Sequence, residues 1–314
     1  MKCVDFSIDH MNEANDLAVA CYLAEQKHVP LLPILNKVPD LTEFVKNRLG
    51  IAAFDENKMI GFLCCYEPFD NAFGISGVRG VFSPMGGNGA VSDNHANIYT
   101  AMYKAAGEKW VKAGAISHSI SLYAHDEIAQ KQFFKYGFGI RCIDAIRDIN
   151  LIESDVCSNY KFYILQPNEI SKLYPLENLH FDEYRDSPFF MVKPTKSEDD
   201  FVKSYNHESI CVVAGFEDAI IAYISAEHGG ETFIQDTPGY IHISAAYCLP
   251  EHRRKGISRH LLSLLLQELK GKGYSRLGVD FESINPSGSG FWLKHFSAYT
   301  HSVVRRIDES VLQK

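Results

Sequence analysis

The chain has no uninterrupted run of the roughly 20 apolar residues that a membrane helix needs. Its opening, MKCVDFSIDHMNEAND, carries acids where a secretory signal would carry its apolar stretch. These absences predict a cytoplasmic protein with no membrane partner. No C-x-x-C pair occurs either: the eight cysteines stand at positions 3, 21, 64, 65, 142, 157, 211 and 248, with no histidine ladder beside them. That spacing suggests neither a zinc knuckle nor a disulfide framework, and it predicts reduced, mostly buried thiols and no bound metal. An excess of positive charge is missing as well. The sequence has 31 Lys and Arg against 39 Asp and Glu, a net charge of −8, which argues against nucleic acid as a partner. The fingerprints G-x-G-x-x-G and G-x-x-x-x-G-K-[ST] are both absent, which argues against a nicotinamide enzyme or an NTPase.

What remains is a chain of 314 residues, 46% hydrophobic, long enough for two domains of about 150 residues. Its second half reads as a short opening strand and then α, α, β, β, β, α, β, α, β. A helix-like run YKFYILQPNEISKLYPLENLHF and the helix SEDDFVKSY precede two strands, ICVVAGFE and AIIAYISAEH, joined by a tight turn. The strand GYIHISAAYCL is stopped by Pro250, and a helix follows from about Ser258 to Lys270. Leu261, Leu262, Leu265, Leu266 and Leu269 share one face of it, and Gly271 and Gly273 suit its end.

RLGVDFES, NPSGSGFWLKHF and THSVVRRID complete the half as strand, short aromatic helix and strand. The first half repeats this order from MKCVDFSI to IRCIDAIRDI. Aligning Phe133 near Phe291 gives an offset of about 158 residues, close to half the chain. The reading is therefore α/β (α+β), with two tandem domains at 1–155 and 160–314. Each has a mixed, mostly antiparallel sheet flanked by helices, and the polar stretch 153–160 is the linker.

The segment PEHRRKGIS, at the strand-to-helix handover, concentrates cations around a glycine. A helix start leaves about four backbone N–H groups unpaired and carries a partial positive charge. Gly256 allows close backbone approach and Ser258 is small, while Arg253, Arg254, Lys255 and Arg259 add charge, so the turn suits a pyrophosphate.

The run CLPEHRRKGISRHLL resembles motif A of the GNAT superfamily of N-acetyltransferases, V-x-P-x-x-[RQ]-x-x-G-x-[GA]. Arg253 stands at its Arg/Gln position, Gly256 at the central glycine, and Ser258 where Gly or Ala is usual. NPSGSGFWLKHF is similar to a second motif of the family, with Asn285 at its Asn and Lys294 at its Lys; HFSAY replaces the commoner glycine-containing ending. The resemblance implies acetyl-CoA as cosubstrate. Its pyrophosphate would lie on the amides around Gly256, Ile257 and Ser258, its pantetheine along the backbone of Tyr247 and Cys248 and against Asn285, and Phe291 and Trp292 would pack beside it. The corresponding stretch of the first half, SPMGGNGAVSDNHANI, keeps glycines at 86, 87 and 89 but has no cations, which implies a GNAT-like domain that has lost cofactor binding.

In this family an amine attacks the thioester directly. The resemblance makes the N–H of Cys248 the candidate donor to the thioester oxygen. An alkyl ammonium must first lose a proton. Glu282 is the first candidate base and His242 the second, with Asp280 on the same strand face as Glu282. Trp292 stands where many relatives have the tyrosine that protonates the departing thiolate; Tyr299 and His295 lie nearby in sequence. The expected acceptor is a small-molecule or peptide primary amine held between the domains, with Tyr123, His125, Asp126 and Tyr184 as polar candidates. A non-catalytic acyl-CoA sensor is the alternative. A transfer-RNA-dependent aminoacyltransferase is disfavoured by the acidic charge and the CoA-type loop.

Overall fold

The computed structural model describes residues 1–154 and 159–313; the middle of the linker stretch, 155–158, lies outside them. Along the chain run β1 (Lys2–Asp5), α1 (Met11–His28), α2 (Thr42–Asn47), β2 (Ile51–Asp55), β3 (Lys58–Leu63), β4 (Gly80–Ser83), β5 (Asn88–Ala90), α3 (His95–Lys112), β6 (Ser117–Tyr123), α4 (Glu127–Lys135) and β7 (Gly139–Asp148). They are followed by β8 (Lys161–Ile164), α5 (Tyr174–Glu183), α6 (Glu198–Ser204), β9 (Ile210–Phe216), β10 (Ala219–Glu227), β11 (Tyr240–Cys248), α7 (Ile257–Gly271), β12 (Arg276–Glu282), α8 (Pro286–His295) and β13 (Ser297–Arg306). The fold class is mixed α/β, as the residue pattern predicts. No helix among the described residues is long and apolar enough to cross a membrane.

The chain divides into two compact units. One comprises Met1–Ala145, Phe281–Leu293 and Ser297–Lys314; the other comprises Ile146–Asp280 and Lys294–Phe296. In the first, β1, β2, β3 and β5 form one sheet, and β4, β6, β13 and β7 lie side by side in that order in another. The last strand of the chain thus pairs with β6, antiparallel from Thr300↔Tyr123 to Arg306↔Ser117. The core of this unit gathers on α3, where Met102, Tyr103 and Trp110 meet Phe133 and Phe138.

In the second unit β8, β9, β10, β11 and β12 are neighbours in that order. β9 and β10 form an antiparallel hairpin whose turn places Glu217 at φ 53°. α7 packs against both, and its leucines at 261, 262, 265, 266 and 269 are all 1% exposed or less. Truncating any of them to alanine would cost about 2–5 kcal/mol. The helix ends with Gly273 in the left-handed region and the Tyr274 N–H donating to the Leu269 carbonyl at 3.1 Å, the glycine stop foreseen from its sequence.

One local expectation is corrected. The start of the helix-like run YKFYIL is strand β8, antiparallel to β9; Lys161, Phe162, Tyr163 and Ile164 alternate between exposed and half-buried, a period of two that apolar content alone concealed. Helix resumes as a 3-10 turn at Pro167–Leu173 leading into α5. In the first half, Asn88–Ala90 of the glycine stretch is strand β5, paired with β3.

Candidate functional site

The geometry of the second unit turns on β11. Against β12 it pairs in parallel only from Tyr240 to Ile243, whereas against β10 it pairs as far as Cys248. The β10–β11 register shifts between Ser225 and Ala226, so that Ser244 is an extra residue on β11. Such a bulge bends its strand and re-aims the residues beyond it. Past Ile243 β11 therefore stays on β10 and leaves β12. The Leu249 N–H donates to the Ile221 carbonyl at 3.0 Å, and backbone groups alternate along a strand. Ala245, Tyr247 and Leu249 thus present their N–H groups to β10, while those of Ala246 and Cys248 point away from it, along an edge that β12 has left.

β11 runs into a 3-10 turn, Pro250–His252, and then into α7. Arg254 (φ 60°) and Gly256 (φ 81°) both adopt the left-handed region. Gly256 is the N-cap of α7, and no side chain caps the helix start, so the N–H groups of Ile257, Ser258 and Arg259 have no intrahelical acceptor. A Cβ at Gly256 would meet no atom within 4 Å. Arg254, Lys255, Gly256 and Arg259 are exposed, and the first turn has no acid. Further cations collect in the same unit: the His295 ring is held below its ordinary pKa first by burial and then by the charges of Arg147, Lys294 and Arg259. The loop residues thus meet the requirements for a phosphate cradle, namely open backbone, unpaired amides and surplus positive charge.

Arg253 plays a different part from its neighbours. Its Nε donates to the Cys248 carbonyl at 2.8 Å, its Nη1 to Glu183 Oε1 at 2.8 Å, and its Nη2 to Glu183 Oε2. The guanidinium also lies over the Tyr247 ring, 5.4 Å from the centroid. Sequence reasoning assigned this arginine charge for an anion. Its donors are instead spent on a carbonyl of the strand and on the Glu183 carboxylate of α5, so it fixes the loop's position.

The candidate bases are engaged too. His242 is 4% exposed; its Nε2–H donates to Asp280 Oδ1 and its Nδ1 accepts from the Tyr240 hydroxyl, both at 2.7 Å. Gly278 faces this pair, and a Cβ there would overlap the Tyr240 hydroxyl. Glu282, in the first unit, is gripped by Arg141, whose Nε donates to Oε2 and whose Nη2 donates to Oε1 at 3.1 Å. The Cys248 thiol is buried and its pKa is pushed up to about 11, which leaves the backbone N–H as this residue's useful group.

Of the aromatic-helix residues, Asn285 Oδ1 accepts the Gly288 N–H at 2.8 Å and so caps α8. Phe291 and Trp292 meet edge to face at 4.8 Å, with Trp292 buried. Lys294 is exposed, and Tyr299 is buried in β13 at 1% exposure.

A cavity of about 280 Å³ opens in the second unit between α5, α6 and the sheet, and Ser244 and Ala245 at the bulge form part of its wall. Glu177, Tyr223 and Glu227 line it as well. The Tyr223 hydroxyl donates to Glu177 Oε2, and burial raises the Glu177 carboxyl above its ordinary pKa. No motif marks these residues, and sequence reasoning missed them; Tyr184, the candidate it named on this side, is absent from the cavity wall.

In the first unit the glycine stretch has no comparable opening. Gly86, Gly87 and Gly89 are buried; the Gly87 N–H closes a turn on the Pro84 carbonyl at 2.9 Å, and a Cβ at Gly89 would lie 3.1 Å from Cys21 Sγ. Asn88 donates to Ser83 Oγ at 3.1 Å and to the Ser121 carbonyl at 3.0 Å, and it accepts from the Tyr99 hydroxyl at 3.0 Å. Of the polar residues named there, Asp126 caps α4 through the Ala129 N–H and pairs with His95 at 2.8 Å. His125 bonds the buried Glu25 at 2.7 Å, and the Tyr123 hydroxyl is buried without a partner among the described residues.

A strand leaving its parallel neighbour at a bulge and ending in a glycine-capped basic turn is the arrangement that the motif A resemblance implies. Residues 173–296 match the model of the acetyltransferase (GNAT) family. Among solved structures, a GCN5-related N-acetyltransferase from Sphaerobacter thermophilus is similar over 97% of this chain and 95% of its own, with a TM-score of 0.60 at 10% identity. A fungal multi-domain GH3 beta-N-acetylglucosaminidase, described as containing a GCN5-related glucosamine N-acetyltransferase region, is similar over 96% of this chain and 38% of its own, with a TM-score of 0.53 at 15% identity. At these identities the likeness is one of fold. No curated protein sequence matches the chain.

Proposed function

We propose that the second domain is an N-acetyltransferase that takes its acyl group from acetyl-CoA and passes it to the primary amine of a small acceptor. The observation that carries this reading is the continuity of three features on one strand: the bulge at Ser244 facing the cavity, the open N–H groups of Ala246 and Cys248, and the basic turn capped by Gly256. Acetyl-CoA supplies an activated thioester. The protein's part is to hold the diphosphate on the amides of Ile257 and Ser258 with Arg254, Lys255 and Arg259 around it. The Cys248 or Ala246 N–H then faces the thioester oxygen, where such a donor is worth about 10²-fold or more in rate.

Neither Glu282 nor His242 suits proton removal, because the carboxylate of one and both ring nitrogens of the other are already bonded. The first domain, whose glycine stretch is buried and whose Asn88 bonds Ser83 and Ser121, binds no coenzyme. Calorimetric titration with acetyl-CoA, followed by thiol release with a panel of amines, tests the proposal. Saturable heat with amine-dependent release supports it, heat without release points to an acyl-CoA sensor, and no heat overturns both.

A further inference from the structure

The cavity beside the bulge is acidic in an unusual way. Tyr223, Ser225 and Glu227 occupy alternate positions of β10, so their side chains share the face that floors the cavity. From one end Tyr223, itself buried, donates its hydroxyl to Glu177 of α5. At the other end Ser209 Oγ donates to Glu227 Oε2 at 3.0 Å. Each carboxylate therefore holds one neutral hydroxyl donor, and among the described residues neither is in an ion pair. The cation in the wall is Lys196, whose ammonium donates to Ser204 Oγ at 2.9 Å. Half-buried carboxylates without a bonded cation are costly to keep charged, and a bound cation would relieve that cost.

The two acids are also far apart. At roughly 3.3 Å per residue, the Cα atoms of Tyr223 and Glu227 are about 13 Å distant along the strand. Tyr223 pairs with Tyr247 and Glu227 with His242, on either side of the bulge. The Glu177 end thus lies beside the open amides of Ala246 and Cys248, and the Glu227 end lies beyond the bulge.

We propose that the cavity selects a linear diamine or polyamine, with the reacting ammonium at Glu177 and a second cationic nitrogen at Glu227. This inference rests on the acetyltransferase reading and names its acceptor class. Glu177 then has a catalytic role. The ammonium gives one proton to Glu177, the freed nitrogen bonds to the acetyl carbon as the thioester C–S bond breaks, and the second nitrogen proton leaves with the thiolate as thiol. Tyr223, whose pKa burial raises far above its ordinary value, stays protonated and orients the carboxylate.

The groups facing Glu177 are Tyr223 on β10, Lys196 before α6, and the phenols of Tyr174 and Tyr205 that share the cavity wall. Burial is the largest influence on Glu177 and raises its pKa; the Tyr223 hydrogen bond and the Lys196 charge pull it back.

The test is thiol release from acetyl-CoA with 1,4-diaminobutane, spermidine, butylamine and 4-aminobutanoate, together with calorimetry of coenzyme A and of spermidine alone at low salt. We expect kcat/KM for the diamine to exceed that for butylamine by about tenfold or more, the equivalent of one charge-assisted contact, and 4-aminobutanoate to be the poorest acceptor. Glu227→Gln should collapse the diamine-to-butylamine ratio. Glu177→Gln should lower kcat with every amine and remove the acidic limb of the rate profile, a limb that a merely structural role would leave in place. Coenzyme A heat with equal use of diamine and butylamine, or a ratio unchanged in Glu227→Gln, overturns the acceptor assignment alone. Absence of coenzyme A heat overturns the transferase reading beneath it.

Discussion

Arg253 faces Glu183 as a two-pronged pair while its third nitrogen closes on the Cys248 carbonyl. One side chain thereby ties the basic turn to α5 and to the strand edge at once. Its charge is compensated, so the free positive charge of the turn comes from Arg254 and Arg259. Arg253→Ala should cost about 1–3 kcal/mol, the usual worth of hydrogen bonds to a charged group. It should also lower the affinity for coenzyme A, and Glu183→Gln should reproduce part of both effects. Arg254→Ala, at an exposed position, should weaken coenzyme binding with a change in stability within about 0.5 kcal/mol. Thermal melts paired with calorimetry distinguish the two arginines; equal stability losses would refute the division of labour.

Gly256 sits at φ 81° with open space where a Cβ would go. A β-branched residue there meets a conformational penalty of about 1–2 kcal/mol and covers the amides it precedes. Gly256→Val should therefore reduce acetyl-CoA affinity by about tenfold or more, or 1.4 kcal/mol, in a protein that still melts cooperatively. Gly256→Asn, which tolerates the left-handed region, should retain the stability that Val loses. Unchanged titration of the Val variant would rule out the cradle.

Glu282 was the sequence's first choice of base, and the Arg141 fork around it argues otherwise. Glu282→Gln should lower stability by about 1–3 kcal/mol and leave the acidic limb of the rate profile intact. A variant with an unchanged melt and no turnover would restore Glu282 to the chemistry.

His118 and His180 are both held neutral by burial, each with its pKa lowered to about 4. The unfolded chain takes up these protons near pH 6.5, while the folded chain refuses them until about 4. Their contribution to stability is complete above pH 6.5 and is lost as pH falls toward 4, by up to about 3 kcal/mol for each at the low end. Urea midpoints measured between pH 7 and 4.5 should decline accordingly. His180 Nδ1 is buried with no hydrogen-bond partner among the described residues, so His180→Met should flatten part of the decline with little loss at pH 7. A slope unchanged in that variant would contradict the assignment.

The elements that announced themselves in the sequence are those whose signal is local. The leucine face of α7, the β9–β10 hairpin and the Pro250 stop depend on residues a few positions apart, and so does the glycine at the head of α7. The strand β8 hid because four residues give too short a window for its alternation to outweigh the helical run behind it. The partners of Arg253 and Glu282 lie 70 and 141 positions away, and nothing in a residue's own neighbourhood specifies a contact at that range. For the same reason the cavity pair Glu177 and Tyr223 was invisible: neither segment carries a motif, and only the packing of α5 on β10 makes them neighbours. The basic, glycine-capped turn was legible in the sequence. The cavity wall, which is assembled from scattered hydroxyls and carboxylates, was not.

The pairing of β13 with β6 also sets an order of events during synthesis. Some 170 residues separate the two strands, and until the ribosome has made the last of them, β6 carries an open rim beside β7. A nascent first domain must therefore wait, partly finished, through the manufacture of almost the whole second one, and any early stop in translation before position 297 would leave that rim bare and prone to pairing with other chains.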